Sequence, residues 1–292
     1  MTAAGVMTAG KGAAPSRIFV PVLIFAPCLL VYLVFFVWPQ LSLLAVSAFD
    51  GGQVSAAHYI RFFSDEYYWE LLGRTLFLGV SVTLITLILG VPVAYVIARM
   101  RSRYAALLLV LTTFPLLVSA VVRSFGWMVL FFRDGVVSNL LLALGLIDQP
   151  MQLMYTLTGV IIALAQVLLP LMVLTLHGVF KSIDPDLEHA AMSLGAPPWL
   201  ALWLVTLRLA RGGIIAGSLL VFSLAISAFA TPALVGGARA NVMATTIYEQ
   251  TIELLDWPFA SALSAILLVF VLVISLLYAK ALDRRSAGEA AS

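Results

Sequence analysis

Six long stretches of this chain contain no Asp, Glu or Lys and, apart from Arg123, no Arg, and this feature constrains the fold more than any other. A helix needs about 20 apolar residues to cross about 30 Å of hydrocarbon, so each stretch predicts a transmembrane helix. A shorter apolar run, 135–147, predicts an interfacial or re-entrant helix between the third and fourth spans. The predicted fold is therefore an all-α membrane protein with six transmembrane helices, at 18–49, 75–98, 104–132, 149–180, 212–238 and 257–279.

The composition excludes a water-soluble globular protein. Hydrophobic residues make up 63% of the 292 residues and charged residues only 10%, whereas soluble chains carry about 25% charged residues. The net charge of +2 is too small for a nucleic-acid interface, and we expect the lipid bilayer as the surrounding medium. One cysteine and three scattered histidines predict neither a disulfide framework nor a metal site.

The distribution of basic residues predicts the orientation in the membrane. Eleven lie on one side of the predicted spans and four on the other, which places both termini in the cytoplasm. The predicted organisation is a disordered cytoplasmic tail at 1–16, a permease domain at 17–283 and a second cytoplasmic tail at 284–292. The cytoplasmic set is Lys11, Arg17, Arg99, Arg101, Arg103, Lys181, Arg208, Arg211, Lys280, Arg284 and Arg285, and the outer set is Arg61, Arg74, Arg133 and Arg239.

The polar residues at membrane depth do not predict an enzyme. The spans contain Arg123, Gln166 and His177 but no carboxylate, and self-powered carriers commonly place carboxylates there. We therefore name no catalytic residue. Gly5 and Gly10-Lys11 have the spacing of a phosphate-binding loop, but Gly12 stands where a Ser or Thr must hold magnesium and no strand precedes the glycines. We expect no cofactor in this chain.

The cytoplasmic loop 181–211 carries the most specific signal. Asp184 is a good N-cap, Pro185 suits the first helical position, and Glu188 puts negative charge on the first turn. Gly195 is a stop signal, so the pattern predicts a helix at 185–194, followed by an amphipathic stretch at 198–209. Such a helix either docks in a groove of a soluble partner or lies on the membrane surface without a partner.

The residues Glu188-His189-Ala190-Ala191-Met192-Ser193-Leu194-Gly195 resemble the Glu-Ala-Ala, three residues, Gly loop of ABC importer permeases. His189 stands where the family has Glu, with Glu188 one position earlier, and Arg208 stands where the family usually has Pro. Further matches cover most of the chain after residue 18 and look like the spermidine/putrescine branch of type I permeases. They are Pro115 to Arg123 with Trp127, Arg133-Asp134-Gly135, Leu140 to Asp148, Thr231 to Gly237, and Asp256-Trp257-Pro258-Phe259.

The resemblance implies a type I permease fold with cytoplasmic coupling helices, in a bacterial inner membrane. It also implies two ATP-binding subunits that hold ATP and magnesium, a second related permease and an extracytoplasmic solute-binding protein. The partner ATPases would drive alternating access through the helix 185–194. The residues assigned to ATPase coupling are Asp184, Glu188, His189, Ala190, Ala191 and Gly195.

The resemblance further implies a small organic solute, polyamine-type or related, although the segment 227–234 contains no carboxylate to meet a cation. The third to fifth spans would line the pathway, with Gly213 and Gly217 allowing close helix contact. Arg123 is either a structural anchor or a solute ligand. Two alternatives remain, a secondary carrier or channel without ATPase partners and a membrane scaffold. The residues assigned to the translocation pathway are Arg123, Ser227, Phe229 and Thr231.

Overall fold

A computed structural model describes residues 25–50, 53–100 and 103–289. The predicted tail 1–16, the glycines at its phosphate-loop-like spacing and the beginning of the first predicted span lie outside the described residues. The described part contains twelve α-helices, three short π- or 3₁₀-helical turns (Pro232–Gly236, Gly237–Ala240 and Glu249–Glu253) and one two-stranded hairpin, β1 (Phe49–Asp50) and β2 (Gln53–Val54). The helices are α1 (Phe25–Ser47), α2 (Ala57–Ser64), α3 (Glu66–Arg99), α4 (Arg103–Leu117), α5 (Ala120–Phe131), α6 (Val136–Ala143), α7 (Leu157–Ser182), α8 (Asp186–Ser193), α9 (Pro198–Leu209), α10 (Arg211–Ile226), α11 (Met243–Tyr248) and α12 (Trp257–Glu289).

The prediction of an all-α membrane protein is confirmed. In the described residues, five helical segments are long and apolar enough to cross a membrane: α1, α3, α7, α12, and α5 together with α6. A sixth results if α9 and α10, which meet at an angle of 70°, count as one broken span. The last helix continues beyond the predicted end of its span, through the described part of the predicted tail 284–292.

The third predicted span, 104–132, is not one helix. The chain breaks between Leu117 and Ala120, where Ser119 adopts an extended conformation (φ −52°, ψ 139°). Pro115 lies in the last turn of α4 and has no N–H to donate, which weakens the helix at this point. Arg123, the one charge in this predicted span, lies after the break, in α5.

The fifth predicted span, 212–238, is also shorter than expected. Helix α10 ends at Ile226, and the chain then forms a π-helical turn at Pro232–Gly236 and a 3₁₀ turn at Gly237–Ala240. Gly237 has a φ of +53°, a conformation that glycine adopts without steric cost. Hydrophobicity alone cannot distinguish such an irregular segment from a continuous helical span.

Close helix contacts hold α3, α7 and α10 together. A Cβ atom added at Gly213 of α10 would lie 2.2 Å from Val179 Cγ2 of α7, and one at Gly90 of α3 would lie 2.9 Å from Met172 Cγ. Gly217 faces the same methionine, whose Sδ would lie 3.2 Å from an added Cβ. The expected role of Gly213 and Gly217 in close packing is consistent with these contacts, because small residues let membrane helices approach.

The two ends of this helical bundle are held by different interactions. At one end, Arg61 of α2 forms an ion pair of 3.1 Å with Asp256, and its guanidinium lies 3.9 Å from the ring centre of Phe259. At the other end, the last residue of α3, Arg99, reaches the segment that leads into α8. The loop 181–211 therefore lies at the end of the molecule opposite Arg61.

Candidate functional site

Helix α8 begins at Asp186, one residue after the predicted start, with Pro185 in the N-cap position. The Asp184 carboxylate accepts a hydrogen bond of 3.0 Å from the backbone N–H of Asp186, and the carbonyl of Pro185 accepts from the N–H of Glu188 at 3.0 Å. Asp184 thus satisfies one of the free N–H groups of the first turn, which is the function of an N-cap.

Gly195 ends the helix in a left-handed conformation, with a φ of +94°. The N–H of Ala196 donates to the carbonyl of Ala191 at 3.1 Å, and the N–H of Gly195 donates to that of Met192 at 3.0 Å. These two bonds define a Schellman motif, in which glycine is preferred because a Cβ disfavours a positive φ. Apart from the two chain neighbours, no atom of the described residues lies within 4 Å of an added Cβ at Gly195, so the requirement for glycine comes from the backbone.

Glu188 is the central residue of a polar cluster beneath α8. One carboxylate oxygen lies 2.5 Å from Arg99 Nη2 and also accepts from the Thr206 hydroxyl, and the other accepts from the Tyr95 hydroxyl at 2.7 Å. The Glu188 and Arg99 side chains are only 12% and 18% exposed. The cluster therefore connects α8 to the C-terminal end of α3 and to α9.

The electrostatics of the cluster keep Glu188 ionised. Burial raises the pKa of its carboxyl group, but hydrogen bonds from Thr206, Tyr95 and Arg99, together with the positive charge of Arg99, outweigh burial and leave the pKa below its ordinary value. Arg99 also donates from Nη1 to the carbonyl of Ile183 at 2.9 Å. One arginine thus fixes both the beginning of the loop and the carboxylate of α8.

The residues beside Glu188 point the other way. His189 is 67% exposed, and its Nδ1 lies 3.6 Å from a carboxylate oxygen of Asp186. Ala190 is exposed and Ala191 half-buried, while Leu194 is 90% exposed. The position at which the family pattern has Glu therefore lies on the open face of α8, and the displaced Glu188 lies on its inner face.

Sequence reasoning did not identify Arg99, Tyr95 and Thr206 as partners of Glu188. Arg99 and Glu188 are 89 positions apart in the chain, and only the packing of α3 against the loop brings them together. One signal was available: Tyr95 and Arg99 are four residues apart and so share a face at the end of a predicted span.

Two of the four predicted pathway residues line a cavity of about 610 Å³ between α1, α10, α11 and α12. These are Ser227 and Phe229; the Phe229 ring packs against Tyr248, with ring centres 4.4 Å apart. Thr231 is buried and, like Arg123, does not line this cavity. The structure therefore does not bring the four predicted residues together in one site.

The described side chains that line the cavity are all uncharged. The Ser227 hydroxyl donates to the carbonyl of Ser223 at 2.9 Å, and those of Thr251 and Ser264 donate to carbonyls of their own helices. Because these three hydroxyl protons are already used, the lone pairs of the three oxygens remain to accept hydrogen bonds. The cavity can thus receive hydrogen-bond donors and contact apolar or aromatic groups.

Arg123 lies next to the break between α4 and α5. Its Nη1 donates to the carbonyl of Pro115 at 2.6 Å, across the gap between the two helices. This carbonyl belongs to the last turn of α4, where carbonyl groups lack helical partners. Of the two roles that the sequence leaves open, the observed contact is that of a structural anchor.

The fold and the loop between α7 and α10 define a membrane-spanning permease, and three comparisons with known proteins agree. Residues 88–287 match the family of the binding-protein-dependent transport system inner membrane component. The chain is 34% identical over 217 residues to the spermidine/putrescine transport system permease protein PotB of Escherichia coli (strain K12), which covers 74% of this chain and 79% of that protein. It is 32% identical over 189 residues to the molybdenum transport system permease protein ModB of Mycobacterium tuberculosis, which covers 65% of this chain and 70% of that protein.

Solved structures agree on the fold. A chain of a bacterial ABC transporter involved in the import of the acidic polysaccharide alginate superposes with a TM-score of 0.76 at 20% identity, covering 92% of this chain and 96% of that chain. The chain therefore belongs to the family of binding-protein-dependent transport system inner membrane components. It is a permease subunit of a binding-protein-dependent ABC importer.

Proposed function

We propose that partner ATPases drive this permease by docking on the open face of α8. The observation that carries the proposal is the buried pair between Glu188 and Arg99, which joins α8 to α3. Such a helix can transmit a movement to the membrane domain, because a docked partner contacts its exposed face and a spanning helix is bonded to its other face. His189, Ala190 and Leu194 form the exposed side of this connection.

The proposed mechanism is alternating access. ATP and magnesium bind to two ATPase subunits, whose closure moves α8, and the Glu188 cluster passes this movement to α3 and α9. A second, related permease completes the pathway, and an extracytoplasmic binding protein delivers the solute. A bacterial alginate ABC transporter of similar fold has been solved in complex with an alginate pentasaccharide-bound periplasmic protein, which supports this last partner.

The proposed orientation places α8 and both termini in the cytoplasm of a bacterial cell. The eleven-to-four asymmetry of Lys and Arg across the spans supports it. With Cys28 replaced by Ser, a cysteine at exposed Val54 should react with a membrane-impermeant reagent added from outside. A cysteine at exposed Ser193 should react only after the membrane is opened.

The proposed solute is a small organic molecule, polyamine-type or related, that passes the cavity beside Phe229 and Tyr248. The name of the Escherichia coli relative supports a polyamine-type solute. The chemical groups of the cavity support it too, because aromatic faces attract ammonium groups and hydroxyl oxygens accept hydrogen bonds from them. Competition of uptake by putrescine, spermidine and molybdate tests this assignment. Competition by molybdate alone would contradict it.

Cross-linking tests the coupling proposal directly. A cysteine at Ala190 in the Cys28→Ser background should form a cross-link to an ATPase subunit, with a yield that changes when ATP is added. The control is a cysteine at Tyr67, which is exposed at the opposite end of α3. Equal cross-linking from both positions, or none from Ala190 in an assembled complex that transports, would show that α8 is not the docking helix.

A further inference from the structure

An open groove of about 560 Å³ lies between α3, α9 and α10, away from the cavity at Phe229. Its walls are apolar: Ile88 and Val91 come from α3, and Trp203 and Leu207 come from α9. Such a volume is in the range of small-molecule pockets, about 300–1,000 Å³. The groove is thus large enough to hold part of a ligand with a hydrocarbon chain.

Two arginines lie in the wall of this groove. Arg208 is exposed on the last turn of α9, and Arg211 is half-buried on the first turn of α10. Guanidinium groups bind phosphate oxygens with paired hydrogen bonds.

Helix α9 has the features of a helix at a membrane surface. Helix α9 turns by 70° away from α10, so that it lies across the axis of a spanning helix. Its outward side nevertheless carries large apolar groups, with Trp199 and Trp203 exposed at 64% and 65%. Tryptophan is enriched where a helix meets the boundary between lipid and water, and interfacial helices bury such a face among the lipids.

We propose that this groove binds a phospholipid with an anionic headgroup. Its phosphate lies against Arg208 and Arg211, and an acyl chain lies along Ile88, Val91 and Leu207. Charge complementarity identifies the headgroup, and the apolar groove that continues from the two arginines identifies the chain. Basic pockets between spanning helices on the cytoplasmic side are known to select such lipids. The site does not depend on the docking of an ATPase on α8.

The test measures which lipids the purified importer complex retains. The complex is exchanged into detergent with equal amounts of dioleoyl phosphatidylglycerol and dioleoyl phosphatidylcholine, and bound lipid is counted by native mass spectrometry. We expect retention of phosphatidylglycerol over phosphatidylcholine. Arg208→Gln should weaken this retention about fivefold, because one basic side chain near an anionic lipid contributes on the order of 1 kcal/mol.

Two further variants separate the groove from a general effect of charge. Arg103→Gln removes a basic side chain at the same end of the molecule that does not line the groove, and retention should be unchanged. Ile88→Trp fills the groove without a change of charge, and retention should fall. If Arg103→Gln and Arg208→Gln behave alike, or if both lipids are retained equally, the proposed site is wrong.

A third comparison distinguishes the lipid from other occupants. Glycerol 3-phosphate has the phosphate but no acyl chain, and we expect that a tenfold excess over the lipid does not displace phosphatidylglycerol. Displacement would mean that the groove binds soluble phosphates. If Arg208→Gln releases the ATPase subunits while lipid retention stays the same, the groove is an ATPase contact and the lipid proposal is contradicted.

Discussion

The Glu188 cluster and the cavity at Phe229 differ in how the protein uses charge. The cluster holds an ion pair with three hydrogen-bonding partners on the carboxylate, all from the chain itself. The described lining of the cavity holds only neutral groups. A buried charge is costly unless the protein itself supplies its partners. A buried ion pair therefore suits a fixed connection between two helices. A pathway that binds and then releases solutes benefits from weaker, neutral contacts.

The largest effect should come from Gly195→Val. A β-branched residue strongly disfavours the positive φ that the Schellman motif requires, so α8 would end differently and lose its fit to the ATPase. Solute uptake in whole cells should be abolished, while the amount of protein in the membrane stays largely unchanged. The control is Gly178→Val, at a helical glycine whose added Cβ also meets no atom within 4 Å. Normal uptake by Gly195→Val would mean that α8 does not transmit the movement.

The next largest effect should come from Arg99→Met. The substitution leaves the Glu188 carboxylate without its ionic partner, and breaking a buried pair in this way costs about 3–5 kcal/mol at full burial and less at this partly exposed site. Uptake should fall by about tenfold or more, because a loss of only about 1.4 kcal/mol changes an equilibrium constant tenfold. ATP hydrolysis by the complex should become less dependent on the binding protein. Arg103→Met, at an arginine outside the cluster, should leave both measurements near the wild-type values.

Arg123→Met should affect stability rather than solute affinity. It removes a charged donor to the Pro115 carbonyl, and such hydrogen bonds contribute about 1.5–3 kcal/mol. The thermal midpoint of the purified complex should fall, and the solute concentration for half-maximal uptake should stay the same. Val122→Met, at the exposed neighbouring position, provides the control. A raised half-maximal concentration at unchanged stability would instead identify Arg123 as a solute ligand.

A smaller effect is expected from pH. The folded pKa of Glu188 lies below its ordinary value of 4.5, so its contribution to stability is complete above that value and is lost as the pH falls through the folded pKa. The difference in thermal midpoint between the wild type and Glu188→Gln should be constant from about pH 8 to about pH 5. It should narrow only under more acidic conditions. A difference that disappears near neutral pH would contradict the described hydrogen bonding of Glu188.

The smallest effect should come from Ser227→Ala in the cavity. Its hydroxyl donates to a carbonyl of its own helix, so the substitution removes only one acceptor from the cavity wall. We expect a change of less than about fivefold in half-maximal uptake, which corresponds to about 1 kcal/mol. Tyr248→Leu removes the stacked ring and should have the larger effect of the two. A loss of uptake in Ser227→Ala without a loss of protein would mean that the cavity depends on polar recognition.

Sequence patterns predicted the long apolar helices and the local signals of α8 well. Asp184 and Gly195 act through backbone groups within a few residues, so their functions can be read from spacing. Breaks in the membrane helices were harder to predict, because the irregular segment after Ile226 is as hydrophobic as a span. An apolar sequence indicates that a segment lies within the membrane, but it does not indicate whether the backbone there forms one continuous helix.

The partners of Glu188 could not be predicted for a different reason. Arg99 and Thr206 reach the same carboxylate from two separate helices, and this requires the packing of α3, α8 and α9 to be known. The Glu-Ala-Ala resemblance indicated a coupling helix and assigned Glu188 and His189 to it without distinguishing their roles. In the structure, Glu188 holds the inner, ion-paired position and His189 is exposed.

A double-mutant cycle on Glu188 and Arg99 tests most directly whether this pair transmits the movement of α8 to α3. The measurement is the ratio of solute imported to ATP hydrolysed in proteoliposomes for the wild type, Glu188→Gln, Arg99→Met and the double variant. The account predicts that each single variant lowers the ratio and that the double variant is no worse than Arg99→Met alone, because the two side chains act as one unit. Independent, multiplicative losses, or single variants with a normal ratio, would contradict it.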